Sequence, residues 1–458
     1  MIRPPQVPSS TPDGDWRSGE PLSPTHRDPE SQRVGSARLE RRSVRLGFIP
    51  LTDCAPLVVA QEKGYFRRHG LEVELIRESS WSSIRDKVAI GDLDGAHMLA
   101  PMAIASTLGL GSFRSPVVTA MSLGLNGNAI TVSNELHEAM ASKEPPAGPS
   151  IAGSAAALAA VVADRRDAGL PPLRFGVVFP FSCHNYELRF WLASAGIDPD
   201  RDVRLEGVPP PRMVERIERG AIDGFCVGEP WNSLCVQRGL GRVVLTKHDL
   251  WNNSPEKVLG VREDWAEHNP ATHQALVRAV LEAAASLDEA QGRAEAVGLL
   301  AGPHLIDVPE SALAPGLMGE FGMGLGEAPR SLPDFLVFHR YAANFPWRSH
   351  ALWVLTQMVR WGQLDRAIHL RSVAERVYLP EAYRRAARQL GLPSPSIDDK
   401  LEGLHGAGWW CAGSPSRIAL GPDLFLDGTA FDPSRPLDYV QRFALGAGAD
   451  EGWLAMNA

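Results

Sequence analysis

The chain has 458 residues, 44% hydrophobic and 22% charged, enough to bury the cores of two to three globular domains. A net charge of -8, without a basic stripe interleaved with aromatics, speaks against direct nucleic-acid binding. The longest apolar runs, such as HMLAPMAIASTLGLG, are broken by Pro and Gly and are too short for a bilayer helix, so no membrane insertion is expected.

Residues 1–43 are rich in Pro, Ser and charge and almost lack aliphatic side chains. No apolar segment follows a positive start, so they read as a disordered leader without an export signal, and the expected location is cytoplasmic. Arg41 and Arg42 form a twin-arginine pair, but VRLGFIPLTD behind them is strand-like and offers no cleavage site. Five scattered cysteines, Cys54, Cys183, Cys226, Cys235 and Cys411, make no C-x-x-C pair and no Cys/His metal spacing. Reduced buried thiols are the expectation, with no metal and no cofactor.

From Val44 short apolar strands alternate with amphipathic helical stretches, the pattern of an α/β fold. VRLGFI reads as a strand, PLTDCAPLVVAQEKGYF as turn and helix, LEVELI as a strand, WSSIRDKVAIG as a helix and GAHML as a strand. LGLNGNAITVSNEL (123–136) reads as an extended crossing with a turn at Asn126-Gly127. A second unit follows: DVRLEGV, a helix in PPPRMVERIERG, then the strand DGFCVG. The two units share Gly-x-(Leu/Ile)-Asp-Gly, as GDLDG (91–95) and GAIDG (220–224), each followed by a strand and a Pro.

Gly in such a turn suits a helix C-cap, so Asp94 and His97 read as scaffold. The duplication predicts two similar lobes whose strand ends face a ligand cleft. The expected division is lobe 1 over 44–130, lobe 2 over 131–229, and lobe 1 again over 230–458 with additional C-terminal helices. Crossings near 126–133 and 226–233 would form a hinge. KVLGVRED (257–264) reads as a further strand. Beyond it, PATHQALVRAVLEAAASLDEA, LPDFLVFHRYAANF, SHALWVLTQMVRWGQL and PEAYRRAARQLG read as helices.

No phosphate loop, G-x-G-x-x-G, G-x-S-x-G or H-E-x-x-H is present. Adjacency of Cys183 and His184 does not by itself set thiol and imidazole in contact, so an enzyme is not expected.

GFIPLTDCAPLVVAQEKGYFRRHGLEVEL, SSWSSIRDKVAIGDLDGAHMLAPM, NGNAITVSNEL, HNYELRFWLASAGIDPD, DGFCVGEPWN, SPEKVLGV and FPWRSHALWVLTQMVRWGQ closely resemble the nitrate-binding proteins of the NrtA/CmpA/NasS group. The likeness runs from about residue 44 to 440. It implies a two-lobe periplasmic-binding-protein type II fold. It also implies one of two functions. The first is a cytoplasmic nitrate/nitrite sensor of the NasS type, which holds a NasT-type antiterminator with an ANTAR domain. The alternative is the receptor of a nitrate-type ABC importer, with a permease as partner.

The resemblance places the ligand contacts on Trp81, Asn128, Ser182 or its neighbour Cys183, and Lys257. Transport receptors tend to carry Gln at position 128 and Gly at 182, which implies a cleft of different shape. Bicarbonate-binding relatives carry an acidic residue in place of Lys257, which argues against bicarbonate and its calcium partner. The chemistry agrees: nitrate is a planar anion that stays ionised and needs donors and one positive charge. Lys257 offers three ammonium donors, Trp81 an indole N-H and Asn128 an amide. His184 is open to either a donor or a structural role. The alternatives are a packed core Trp81 and a solvated surface Lys257. Asp53 reads as an N-cap, and Glu229-Pro230-Trp231 as hinge packing. The aromatic FPWRSHALWVLTQMVRWG is a candidate partner face, or else a helix core.

Overall fold

A computed structural model describes residues 38–143 and 151–457. Most of the expected leader, residues 1–37, lies outside the described residues. Its last five positions, from Leu39, belong to the fold. The Glu40 carboxylate accepts from Ala271 N and Thr272 N at the head of the helix Pro270–Ser286, and Ser43 opens the first strand.

Two five-stranded sheets carry the structure. The first contains β1 (Ser43–Phe48), β2 (Glu72–Arg77), β3 (Gly95–Leu99) and β4 (Val117–Ser122). The second contains β5 (Asn128–Ser133), β6 (Arg174–Val177), β7 (Arg204–Gly207), β8 (Gly224–Gly228) and β9 (Gly241–Thr246). The chain then returns to the first sheet as β10 (Lys257–Arg262). The strand orders are β2-β1-β3-β10-β4 and β7-β6-β8-β5-β9. Each sheet therefore has a parallel trio followed by two antiparallel strands. Because β9 pairs with β5, the second lobe keeps the chain to Thr246. The crossing back lies between 247 and 256 rather than near 226–233.

The repeated motif now has a physical account. Gly91 and Gly220 adopt φ of 81° and 60° at the ends of the preceding helices, a conformation that favours glycine. Asp94 both donates its N-H to Arg45 O (2.9 Å) and accepts from Arg45 N (2.8 Å). Asp223 does the same with Arg174, both bonds at 2.7 Å. Gly95 and Gly224 allow close strand approach, since a Cβ would lie 2.7 Å from Val261 Cγ1 and 2.8 Å from Phe175 respectively. Asp94 is scaffold, as the sequence suggests.

The C-terminal part is less helical than its apolar spacing implies. Arg348–Arg360 and Pro380–Leu390 are helices, but 332–345 is not. Leu336–Val337 pairs instead with Leu125–Asn126, and the Asp288 carboxylate accepts from the backbone N-H groups of Phe338, His339 and Arg340. The aromatic stretch proposed as a partner face is core: Trp347 and every residue from Ser349 to Arg360 are buried.

Candidate functional site

The carboxyl ends of both parallel trios face the seam between the sheets, where open α/β folds place ligands. From the first lobe, β1 leads into the turn that carries Asp53. β2 leads to Trp81, the first residue of the helix Trp81–Ile90, which Ser80 caps by accepting from Ser83 N at 3.2 Å. His97 lies on β3, and Lys257 opens β10 opposite Leu99. The second lobe contributes Asn128 at the head of β5. It also brings Cys183, His184 and Glu187 on the helix Cys183–Ser194, and Lys247 just after β9. Two helix N-termini, one per lobe, thus present their positive ends here.

These side chains form one buried polar cluster. Lys257 Nζ donates to Asp53 Oδ2 (2.8 Å) and Glu256 Oε1 (2.6 Å). Lys247 Nζ donates to Glu256 Oε2 (2.5 Å) and Pro255 O (2.6 Å) and pairs with Glu187 Oε1 at 2.7 Å. Asn128 Nδ2 donates to Glu256 Oε2 (2.8 Å) and Glu187 Oε2 (3.0 Å). His97 Nε2 and Asp53 Oδ1 are 2.8 Å apart. The ammonium of Lys257 lies 5.5 Å from the Trp81 ring centroid, within reach of a cation-π attraction.

Burial raises the carboxyl pKa of Asp53, but Lys257 and His97 outweigh it and hold the group well below its ordinary range. Burial likewise works against the charge on Glu256, and the two lysines overcome it. Glu187 goes the other way: desolvation raises it despite Lys247. Desolvation pulls His184 down to about 3 and lowers His97, so both imidazoles are neutral near pH 7.

Several buried polar atoms in the cluster have no hydrogen-bond partner among the described residues: Trp81 Nε1, Asn128 Oδ1 and both ring nitrogens of His184. Buried donors are rarely left so in a finished fold. Lys257 uses two of its three N-H groups on Asp53 and Glu256. Unspent donors thus sit on Trp81, His184 and Lys257, around the meeting point of the lobes. Cys183, Glu187 and Glu256 could each offer one metal ligand, their atoms within 4.8 Å of one another. The Lys247 ammonium already sits on both carboxylates, so a cation there would have to expel it.

Trp81, Asn128, Cys183, His184 and Lys257, singled out in the sequence, therefore converge. Ser182 does not offer its hydroxyl: it donates to Phe179 O (2.6 Å) and accepts from Asn185 N (3.1 Å) as the helix cap. Asp53 caps no helix, and its carboxylate is spent on Lys257 and His97. Lys257 is not a surface lysine, and Lys247 is a second buried ammonium beside it. Glu187, Lys247 and Glu256 escaped the sequence reading; the Glu-Lys pair in SPEKV was the available signal. Glu229 and Trp231 tie the lobes through Thr52 N to Glu229 O (2.7 Å) and Trp231 Nε1 to Pro50 O (3.1 Å).

Residues 37–301 match the NMT1-like family. The chain is 42% identical over 417 residues to the nitrate import ATP-binding protein NrtC of Synechocystis sp., covering 91% of this chain and 57% of that protein. It is 33% identical over 412 residues to the nitrate/nitrite binding protein NrtA of Nostoc sp., covering 89% and 87%. The crystal structure of the periplasmic nitrate-binding protein NrtA from Synechocystis superposes with a TM-score of 0.79 at 29% identity, over 89% of this chain and all of that one. The fold and the sequence agree: this chain belongs to the NMT1-like family and is a homologue of the NrtA binding proteins, with their two-lobe fold.

Proposed function

We propose that the chain binds nitrate or nitrite in the cleft between its lobes, as the solute-binding component of a nitrate-type ABC importer. The observation that carries this reading is the set of buried, unspent donors. Trp81 Nε1, a His184 ring nitrogen and the third N-H of Lys257 suit the oxygens of one small planar oxyanion. Cys183 lines the second-lobe side, and Asn128 holds Glu187 and Glu256 in place behind the ligand. Ser182 contributes through its cap, by fixing the helix that carries His184.

The names of the relatives favour transport, with a permease as partner, over the sensor reading. The cytoplasmic location and the NasT-type partner belong to that second reading. Fractionation of the host cells separates the two, because a receptor predicts a periplasmic pool and a sensor a cytoplasmic one. Calorimetric titration with nitrate, nitrite, bicarbonate and sulfate tests the ligand. Saturable heat is expected for nitrate or nitrite; no heat with either would overturn the proposal.

A further inference from the structure

The charges in the cluster do not leave a cation free for an incoming anion. Three carboxylates, Asp53, Glu187 and Glu256, face two ammoniums, Lys247 and Lys257, and every one of these side chains is at most 8% exposed. Lys247 has spent all three N-H groups, on Pro255 O, Glu256 and Glu187. His97 and His184 are neutral, and burial pushes the thiols of Cys183 and Cys226 well above their ordinary range. A monoanion entering this site adds negative charge among side chains that are almost fully buried, which is costly unless a positive charge arrives with it.

His184 is the group placed to supply that charge. Both of its ring nitrogens are buried without a partner among the described residues, and Nδ1 lies 3.5 Å from Glu256 Oε1. The titratable and charged groups that face it are Cys183 and Glu187 on its own helix, Glu256 and Lys257 at the head of β10, Lys247 after β9, and Asp53 in the turn after β1. The carboxylates outnumber the ammoniums, so the field favours an imidazolium once an anion is added.

Resting on the anion-binding reading above, we propose that the site takes its oxyanion together with one proton from solvent, which comes to rest on His184. His184 then donates through Nδ1 to Glu256 and through Nε2 to the anion. Binding tightens as pH falls: Kd rises about tenfold per pH unit between the pKa that His184 has in the free protein and the higher one it has in the complex, and is flat outside that window.

The test is calorimetry of the full chain with sodium nitrate near pH 7, in PIPES and in Tris, whose protonation heats differ. The expected difference corresponds to about one proton taken up per nitrate bound. A second measurement follows the His184 ring in histidine-15N-labelled protein, where saturating nitrate is expected to protonate both nitrogens. Nitrate binding without proton uptake overturns the inference, as does a ring that stays neutral in the complex. Absence of nitrate heat at both about pH 6 and about pH 8 overturns the anion-binding reading instead.

Discussion

Asp53 and Lys257, 204 positions apart in the chain, meet at 2.8 Å between Oδ2 and Nζ in a buried pair that joins the turn after β1 to the head of β10. Removing one partner of such a pair strands the other as an uncompensated charge, at a cost of about 3–5 kcal/mol. Lys257→Ala is therefore expected to abolish nitrate binding and to lower the melting temperature near neutral pH. In the wild type the depressed Asp53 pKa contributes stability above the unfolded carboxyl value of about 3.9, lost as pH falls through the folded value. Without Lys257, burial raises Asp53 instead, so the folded variant gains by taking a proton and its deficit shrinks toward acid. Melting curves at about pH 5 and pH 8 check this; a deficit as large at the lower pH would refute it.

Trp81→Phe removes an indole N-H that bonds to nothing else among the described residues. Stability should fall by about 1–3 kcal/mol, because the smaller ring leaves a cavity at a fully buried site, while nitrate affinity falls about 5- to 30-fold, the range for one buried hydrogen bond of about 1–2 kcal/mol. Calorimetry and melting together separate the two effects. An unchanged affinity would remove Trp81 from the site.

The C-terminal region holds the second lobe from outside the cleft. Tyr186 Oη donates to Gln363 Oε1 (2.7 Å), Gln363 Nε2 donates to Pro180 O (3.1 Å), and the Arg189 guanidinium lies 5.1 Å from the Trp361 ring centroid. Contacts that favour the closed arrangement add to affinity without touching the ligand. Tyr186→Phe should weaken nitrate binding about 2- to 10-fold, in keeping with about 0.5–1.5 kcal/mol for one hydrogen bond. A faster dissociation rate in stopped flow is the expected signature, and wild-type dissociation would contradict it.

Glu229 is buried, and burial pushes its carboxyl up to about 7 against the lowering effect of hydrogen bonds from Ser233, whose N-H lies at 3.4 Å, and from the Asn232 side chain. A raised carboxyl pKa favours folding while the group is protonated, and the contribution fades as pH rises from the unfolded value through 7. Glu229→Gln keeps the shape without the charge. Its stability relative to wild type should improve as pH rises from about 4.5 to about 7, by roughly 1.4 kcal/mol per unit, and level off above. Denaturant midpoints at several pH values measure this, and a difference that stays flat with pH would be evidence against it.

Strand alternation, the repeated turn and the helical runs were legible because each is a local pattern: Gly91 and Gly220 mark a backbone conformation, and Ile84 and Val88 mark a buried face. The segment 332–345 misled because Phe335, Leu336 and Phe338 sit at helical spacing. Its N-H groups are nevertheless claimed by Asp288, about 50 positions earlier in the chain, which no local pattern reports. The site shows the same limit. Trp81, Asn128, His184 and Lys257 stand in recognisable strings, whereas a carboxylate offers an anion no donor and so carries no such signal. Asp53, Glu187 and Glu256 acquire their role only when residues from both lobes meet around Lys247 and Lys257.

The Asp94 and Asp223 bonds to Arg45 and Arg174 lie at the amino ends of the parallel trios, and the polar cluster lies at their carboxyl ends. Anchorage and chemistry thus occupy opposite ends of the same strands. A lobe built this way can have its ligand end rewritten, one side chain at a time, while its frame stays pinned, so one architecture can be retuned to anions of different shape and charge.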